Sequence, residues 1–169
     1  MPRSFDLSAE YKGSVEEVHR AFSETDYWLA RLADSGVDDA KLESMRVSDG
    51  TIEVVTLQVV RSHNLPGLIT QLHRGDLCIR REEDWGPITD STATASIAGS
   101  ILDAPVNLSG TAVLSPIAGS GGARAEFQVS VQVRIPIVGG KLERLVGGVL
   151  TSLVEEEQRF TTTWIANHA

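Results

Sequence analysis

Few residues in this chain have types and spacings that could do chemistry. Glu157 is the sharpest candidate. It falls on the apolar stripe of a C-terminal helix, between Leu153 and Phe160, within the run EEEQR. A carboxylate among apolar neighbours has a raised pKa and can serve as an acid or hold a polar head group. On a helix end that projects past its sheet, the same residue is simply hydrated. His63 and His73 flank a short apolar stretch and Cys78 follows five residues later, but no paired ligand motif joins them, so neither a metal nor any other cofactor is expected. His19 belongs to a helix flank and His168 to a chain terminus. Cys78, between Leu77 and Ile79, reads as an inert strand thiol, because nothing near it in sequence would lower its pKa. Ser115 and Thr94 have no accompanying base. The glycine run GSGGA joins two strands rather than a strand and a helix, which is the wrong place to cradle a phosphate.

The elements that must position these residues are legible from periodicity. Residues 4–11 alternate Phe5, Leu7, Ala9 and Tyr11 against Ser4, Asp6, Ser8 and Glu10, as a half-buried strand does. Ser14 and Glu17 form a capping box that opens a helix carrying Val15, Val18 and Phe22. Thr25 and Asp26 restart or bend it, Tyr27, Trp28 and Leu32 continue the stripe, and Gly36 ends it. DAKLESMRV and TIEVVTLQVVR flank an Asp-Gly turn, a hairpin signal. Leu65, Leu68, Ile69 and Leu72 are spaced for a short amphipathic helix, a candidate lid between Gly67 and Gly75, or plain packing on the sheet edge. Four further strands are expected at about 76–84, 91–101, 106–115 and 123–135. From Gly139 the period changes to that of one long helix, with Leu142, Leu145, Val146, Val149, Leu153, Phe160 and Trp164 as its stripe.

Two adjacent strands carry unusually small inward residues. One presents Ala93, Ala95, Ile97, Gly99 and Ile101, and the other Val106, Leu108, Gly110, Ala112 and Leu114. Either the room this leaves is occupied by a ligand, or the long helix settles into it, helped by Gly147 and Gly148. A dry void of roughly 300 Å³ would cost about 7 kcal/mol, as much as the net stability of many domains, so an empty one is a poor steady state.

Strand, two helices, six strands and a long terminal helix, with SVEEVHRAFSETDYW and IPIVGGKLERLVGGVLTSLVEEEQ as the telling pieces, resemble the START-like or birch-pollen-allergen-like superfamily. Within it, the second piece looks most like the domain-of-unknown-function family number 2505. The resemblance implies an α+β helix-grip fold over residues 1–169, a curved antiparallel sheet of about seven strands around the terminal helix. It also implies a cavity between the two, lined by Ala95, Ile97, Gly99, Leu108, Gly110, Ala112, Phe127, Val129, Val146, Val149, Leu153 and Glu157. The expected function is non-catalytic binding of a hydrophobic small molecule, lipid-like or polyketide-like, with Glu157, Tyr11 or Tyr27 orienting a polar end. An aromatase or cyclase and a protein-interaction module, such as a homodimer, are the alternatives. An enzyme would require polar groups converging inside, and the two strands read above supply none.

Composition agrees with a single soluble domain: 41% of residues are hydrophobic and 22% charged. The net charge of −8 argues against nucleic acid and anionic membrane surfaces as partners. No apolar run suits membrane insertion, the N-terminal residues lack an export signal, and the single cysteine fits a reducing compartment, so a cytoplasmic location is expected.

Overall fold

A computed structural model describes residues 2–61, 63 and 75–168. The segment 65–72 and His73 lie outside the described residues. The elements run β1 (Arg3–Tyr11), α1 (Val15–Phe22), α2 (Thr25–Asp34), β2 (Asp39–Ser48), β3 (Thr51–Val60), β4 (Leu77–Trp85), β5 (Ala93–Ile101), β6 (Val106–Pro116), β7 (Ala123–Val133) and α3 (Gly139–Asn167). The strands form one antiparallel sheet in the order β1-β7-β6-β5-β4-β3-β2. With the long terminal helix against it, this is the helix-grip arrangement.

Local chemistry explains the boundaries. The Ser14 hydroxyl accepts from the Glu17 amide at 3.1 Å and the Ser14 amide donates to the Glu17 carboxylate at 3.0 Å, which starts α1. The chain breaks at Ser23 and Glu24 before α2, as the Thr25–Asp26 restart anticipates. The Trp28 indole N–H donates to the Phe22 carbonyl at 2.8 Å and satisfies one of the carbonyls freed at that break. Asp49 and Gly50, both with positive φ (51° and 82°), make the tight β2–β3 turn. β2 carries a bulge between Leu42 and Ser44.

The core divides in two. The larger part lies under α1 and α2, where Phe22, Tyr27, Trp28 and Trp85 pack on Ala93, Ala95, Ala112, Ala123 and Ala125. The smaller joins Val131, Val133 and Leu142 with Phe5, Leu108, Val146 and Leu150. Three of the expected roomy positions, Ala93, Ala95 and Ala112, are therefore closely packed. Ala95 and Ala112 are small because aromatic rings stack over the sheet there, with Phe22 and Trp85 centroids 5.3 Å apart. A Cβ on Gly110 would stand 2.3 Å from the Gln128 carbonyl oxygen, so close approach of β7 requires glycine there. Gly99 differs: the nearest atom to its Cβ would be Leu108 Cβ at 3.6 Å, an ordinary contact.

The long helix is turned from its expected face. Gly147 lies on the sheet side, where a Cβ would fall 2.2 Å from the Phe5 ring, so the helix approaches the β1–β7 side at its smallest residue. That contact rotates Val149 outward to 59% exposure, which corrects its expected place on the inner stripe. Leu145 is exposed as well, while Leu142 and Thr161 are buried.

Candidate functional site

Cross-strand register builds the site row by row. Leu108 of β6, Gly99 of β5, Arg81 of β4 and Thr56 of β3 are successive partners across the sheet. The neighbouring row is Gly110, Ile97, Glu83 and Val54. The inner face thus changes character between β5 and β4. It is apolar on β5 and β6, and on β3 and β4 it carries Thr56, Gln58, Arg81 and Glu83. Ile79, Ile97, Gly99, Ile101 and Leu108 are all half-buried, so the apolar strip between the two core clusters retains exposed surface.

The charged residues converge on Glu157. Arg31 of α2 reaches its carboxylate at 2.5 Å, and Arg81 binds both carboxylate oxygens at 2.8 and 3.3 Å. Glu83 stands 3.8 Å from Arg31 and 3.7 Å from Arg81. The Arg31 guanidinium also lies 4.7 Å from the Trp28 ring centre, a cation–π contact. The hydrogen bonds continue in one direction: Arg31 donates to the Tyr27 hydroxyl at 3.3 Å, Tyr27 donates to Thr161 at 2.6 Å, and Thr161 donates to the Glu157 carbonyl at 2.7 Å. Two arginines and two glutamates balance to zero charge in a largely buried setting.

This arrangement overturns the expected environment of Glu157. Burial alone would raise its pKa, but Arg31 and Arg81 outweigh burial and hold the carboxyl at about 2. Glu157 is neither an apolar-pocket acid nor a hydrated end residue; its side chain is 20% exposed and fully paired. Burial pushes the phenols of Tyr11 and Tyr27 well above the ordinary tyrosine range. Burial would lower Arg31, but Glu157 keeps its pKa above even the usual arginine value.

A pocket of about 30 Å³ adjoins this cluster, between the C-terminal end of α2, the middle of α3 and the inner ends of β3 and β4. Thr56, Gln58, Arg81, Leu153, Glu157 and Phe160 are among the residues that line it. Of the residues expected to bind ligand, Ile97, Gly99 and Leu108 stand together on the half-open strip, with Val146 in the same cluster as Leu108. Leu153 and Glu157 line the pocket. Ala95, Ala112 and Phe127 belong to the aromatic core, and Val129 is buried beside Gly110. Val149 borders an open depression on the outer side of α3. Sequence reading missed Arg31, Thr56, Gln58, Arg81 and Glu83. The signal for four of them was available, since polar residues interrupt the buried alternation Ile52, Val54, Thr56, Gln58 and its neighbour Trp85, Glu83, Arg81. Among the described residues no three His, Cys, Asp or Glu side chains are grouped to hold a metal, and no helix is long and apolar enough to cross a membrane.

The chain is 71% identical, over 99% of its length and 99% of the relative's, to the uncharacterized protein Rv0481c of Mycobacterium tuberculosis. Among solved structures it is similar to TTHA0849 from Thermus thermophilus (TM-score 0.63, 15% identity, 99% of each chain). It is also similar to a START superfamily protein from Mycobacterium smegmatis (TM-score 0.55, 12% identity, covering 98% of this chain and 99% of that one). These likenesses establish the START-like, birch-pollen-allergen-like helix-grip fold. The family described as "Protein of unknown function (DUF2505)" matches residues 6–165, and the chain belongs to that family.

Proposed function

We propose that this protein is a non-catalytic container for an apolar small molecule, whose body lies against Ile97, Gly99, Ile101 and Leu108 with Val146 and Leu153 on the helix side. One observation carries the reading. Among the described residues Gly99 and Ile101 belong to neither packed cluster and both are half-buried, so the inner sheet face keeps apolar surface for a ligand to cover, at roughly 0.8 kcal/mol per methylene buried. Ala95, Gly110, Ala112, Phe127 and Val129 shape the closed end of that space, and Val149, on the outer side of α3, takes no part in it.

The convergence of Arg31, Arg81, Glu83, Glu157 and two tyrosines favours, at first sight, the enzymatic alternative. Acid–base catalysis needs a group that exchanges its proton near the working pH. Glu157 is held at about 2, both tyrosines are displaced upward, arginine does not deprotonate, and Glu83 stands between the two guanidinium groups. The cluster therefore supports positioning and binding rather than proton transfer.

Titration with 1-aminoanthracene, an uncharged fluorophore that brightens in apolar surroundings, tests the container. Wild type should bind it saturably, and Gly99→Trp, which fills the strip, should weaken binding at least tenfold with an unchanged circular dichroism spectrum. Equal binding by wild type and Gly99→Trp defeats the proposal.

A further inference from the structure

Thr56 and Gln58 are unusual among the buried polar residues. They are 5% and 7% exposed, and both line the small pocket. Among the described residues no side-chain hydrogen bond holds either, and neither is among the polar atoms shut off from solvent, so both reach water through the pocket. A hydroxyl and an amide whose hydrogen bonds go only to pocket water can exchange that water for the polar group of a ligand. Their neighbours make the environment specific. Arg31 and Arg81 are already neutralised by Glu157 and Glu83, so neither guanidinium is left over for a ligand anion. Asp34 and Glu156, both exposed, line the same pocket and repel an approaching anion, and a cation would give up its hydration for a pocket whose inner carboxylates, Glu83 and Glu157, are already paired. The volume of about 30 Å³ has room for one or two heavy atoms only. Arg81 is the cross-strand partner of Gly99, which puts the polar pocket at the edge of the apolar strip.

We infer that Thr56 and Gln58, beside the neutralised Arg81–Glu157 pair, form a subsite for an uncharged hydrogen-bonding group, a hydroxyl or a carbonyl, at the end of the apolar ligand. The inference rests on the container reading and narrows its ligand class to neutral, singly tipped amphiphiles, excluding fatty acids and charged lipid heads. Gln58 offers the ligand both a donor and an acceptor, and Thr56 a second of either kind.

Competition against 1-aminoanthracene at pH 7.5 with 1-octanol, octanoate and octylammonium reads the subsite directly. Octanol should compete at least ten times more tightly than either ion. In Thr56→Val with Gln58→Leu, octanol should lose about tenfold while binding of 1-aminoanthracene and the circular dichroism spectrum stay unchanged. Octanoate or octylammonium binding as tightly as octanol overturns the subsite and leaves the container standing. So does a wild type that binds the fluorophore but no octanol, or a double variant that retains octanol affinity. The ranking on wild type decides the matter even where the double variant does not fold. A wild type that binds neither fluorophore nor octanol overturns container and subsite together.

Discussion

At the scale of single residues, Glu157 shows how one side chain is redefined by what faces it. On a helix it is one glutamate in a row of three, with Glu155 and Glu156 exposed beside it. Two arginines from separate elements, α2 and β4, make it the joint of the molecule. Its folded pKa of about 2 lies below the ordinary value of 4.5, so the stability it contributes is present above about pH 4.5 and is lost as pH falls toward 2. The shift corresponds to about 3 kcal/mol at neutral pH, an order-of-magnitude figure for a largely buried pair. Glu157→Gln should lose about 3–5 kcal/mol at pH 7, because it leaves two buried guanidinium groups short of a counter-charge. It should also flatten the decline of stability between pH 5 and 2. Urea unfolding at a series of pH values checks both. An unchanged acid slope in the variant would place the titrating group elsewhere.

At the scale of elements, the long helix is positioned by a glycine rather than by its leucines. Gly147 and Gly148 are adjacent and equally poor helix formers, yet a Cβ on Gly147 meets the Phe5 ring at 2.2 Å and one on Gly148 meets nothing within 4 Å. Gly148→Ala should therefore stabilise the protein by up to about 1 kcal/mol through helix propensity alone. Gly147→Ala should destabilise it by about 2 kcal/mol, because Phe5 must move in a packed interface. Thermal melts of the two variants should shift in opposite directions, and a common direction would contradict the helix rotation described. The same pair shows where the sequence was legible. Strand and helix order, the Ser14 capping box and the Asp49–Gly50 turn follow from local patterns and were readable. The rotation of α3 was not, since Leu145 and Val149 fit a 3.6-residue stripe as well as Leu142, Val146 and Leu150 do. Only the tertiary contact with Phe5 chooses between them. Arg81 and Glu83 left a fainter trace: RREED is charged throughout, and only its flanks, Leu77 and Ile79 before it and Trp85 after it, mark the odd-numbered set as the one that turns inward.

At the scale of the whole molecule, the fold is two cores bridged by a strip of sheet. The aromatic core holds α1 and α2 on the sheet, the smaller one holds the start of α3, and the Arg31–Glu157–Arg81 joint ties α2, α3 and β4 together between them. Small side chains serve different ends along this strip. Ala95 and Ala112 make way for aromatic rings and Gly110 for a neighbouring backbone, while among the described residues a Cβ at Gly99 would meet only ordinary contacts with Leu108 and the Arg80 carbonyl. A ligand over Gly99 and Ile101 would touch both cores, so its binding energy adds to the stability of the folded state as a whole. By mass action, a ligand at a hundred times its dissociation constant stabilises by about 2.7 kcal/mol. For a domain of this size that corresponds to a rise in melting temperature of roughly 5–10 °C. A saturating neutral amphiphile such as octanol, kept below the concentrations at which alcohols denature proteins, should thus raise the melting temperature of wild type and leave that of Gly99→Trp nearly unmoved. A rise of the same size in both proteins would mean that the alcohol binds away from the strip, and the bridge between the two cores would have to be sought elsewhere.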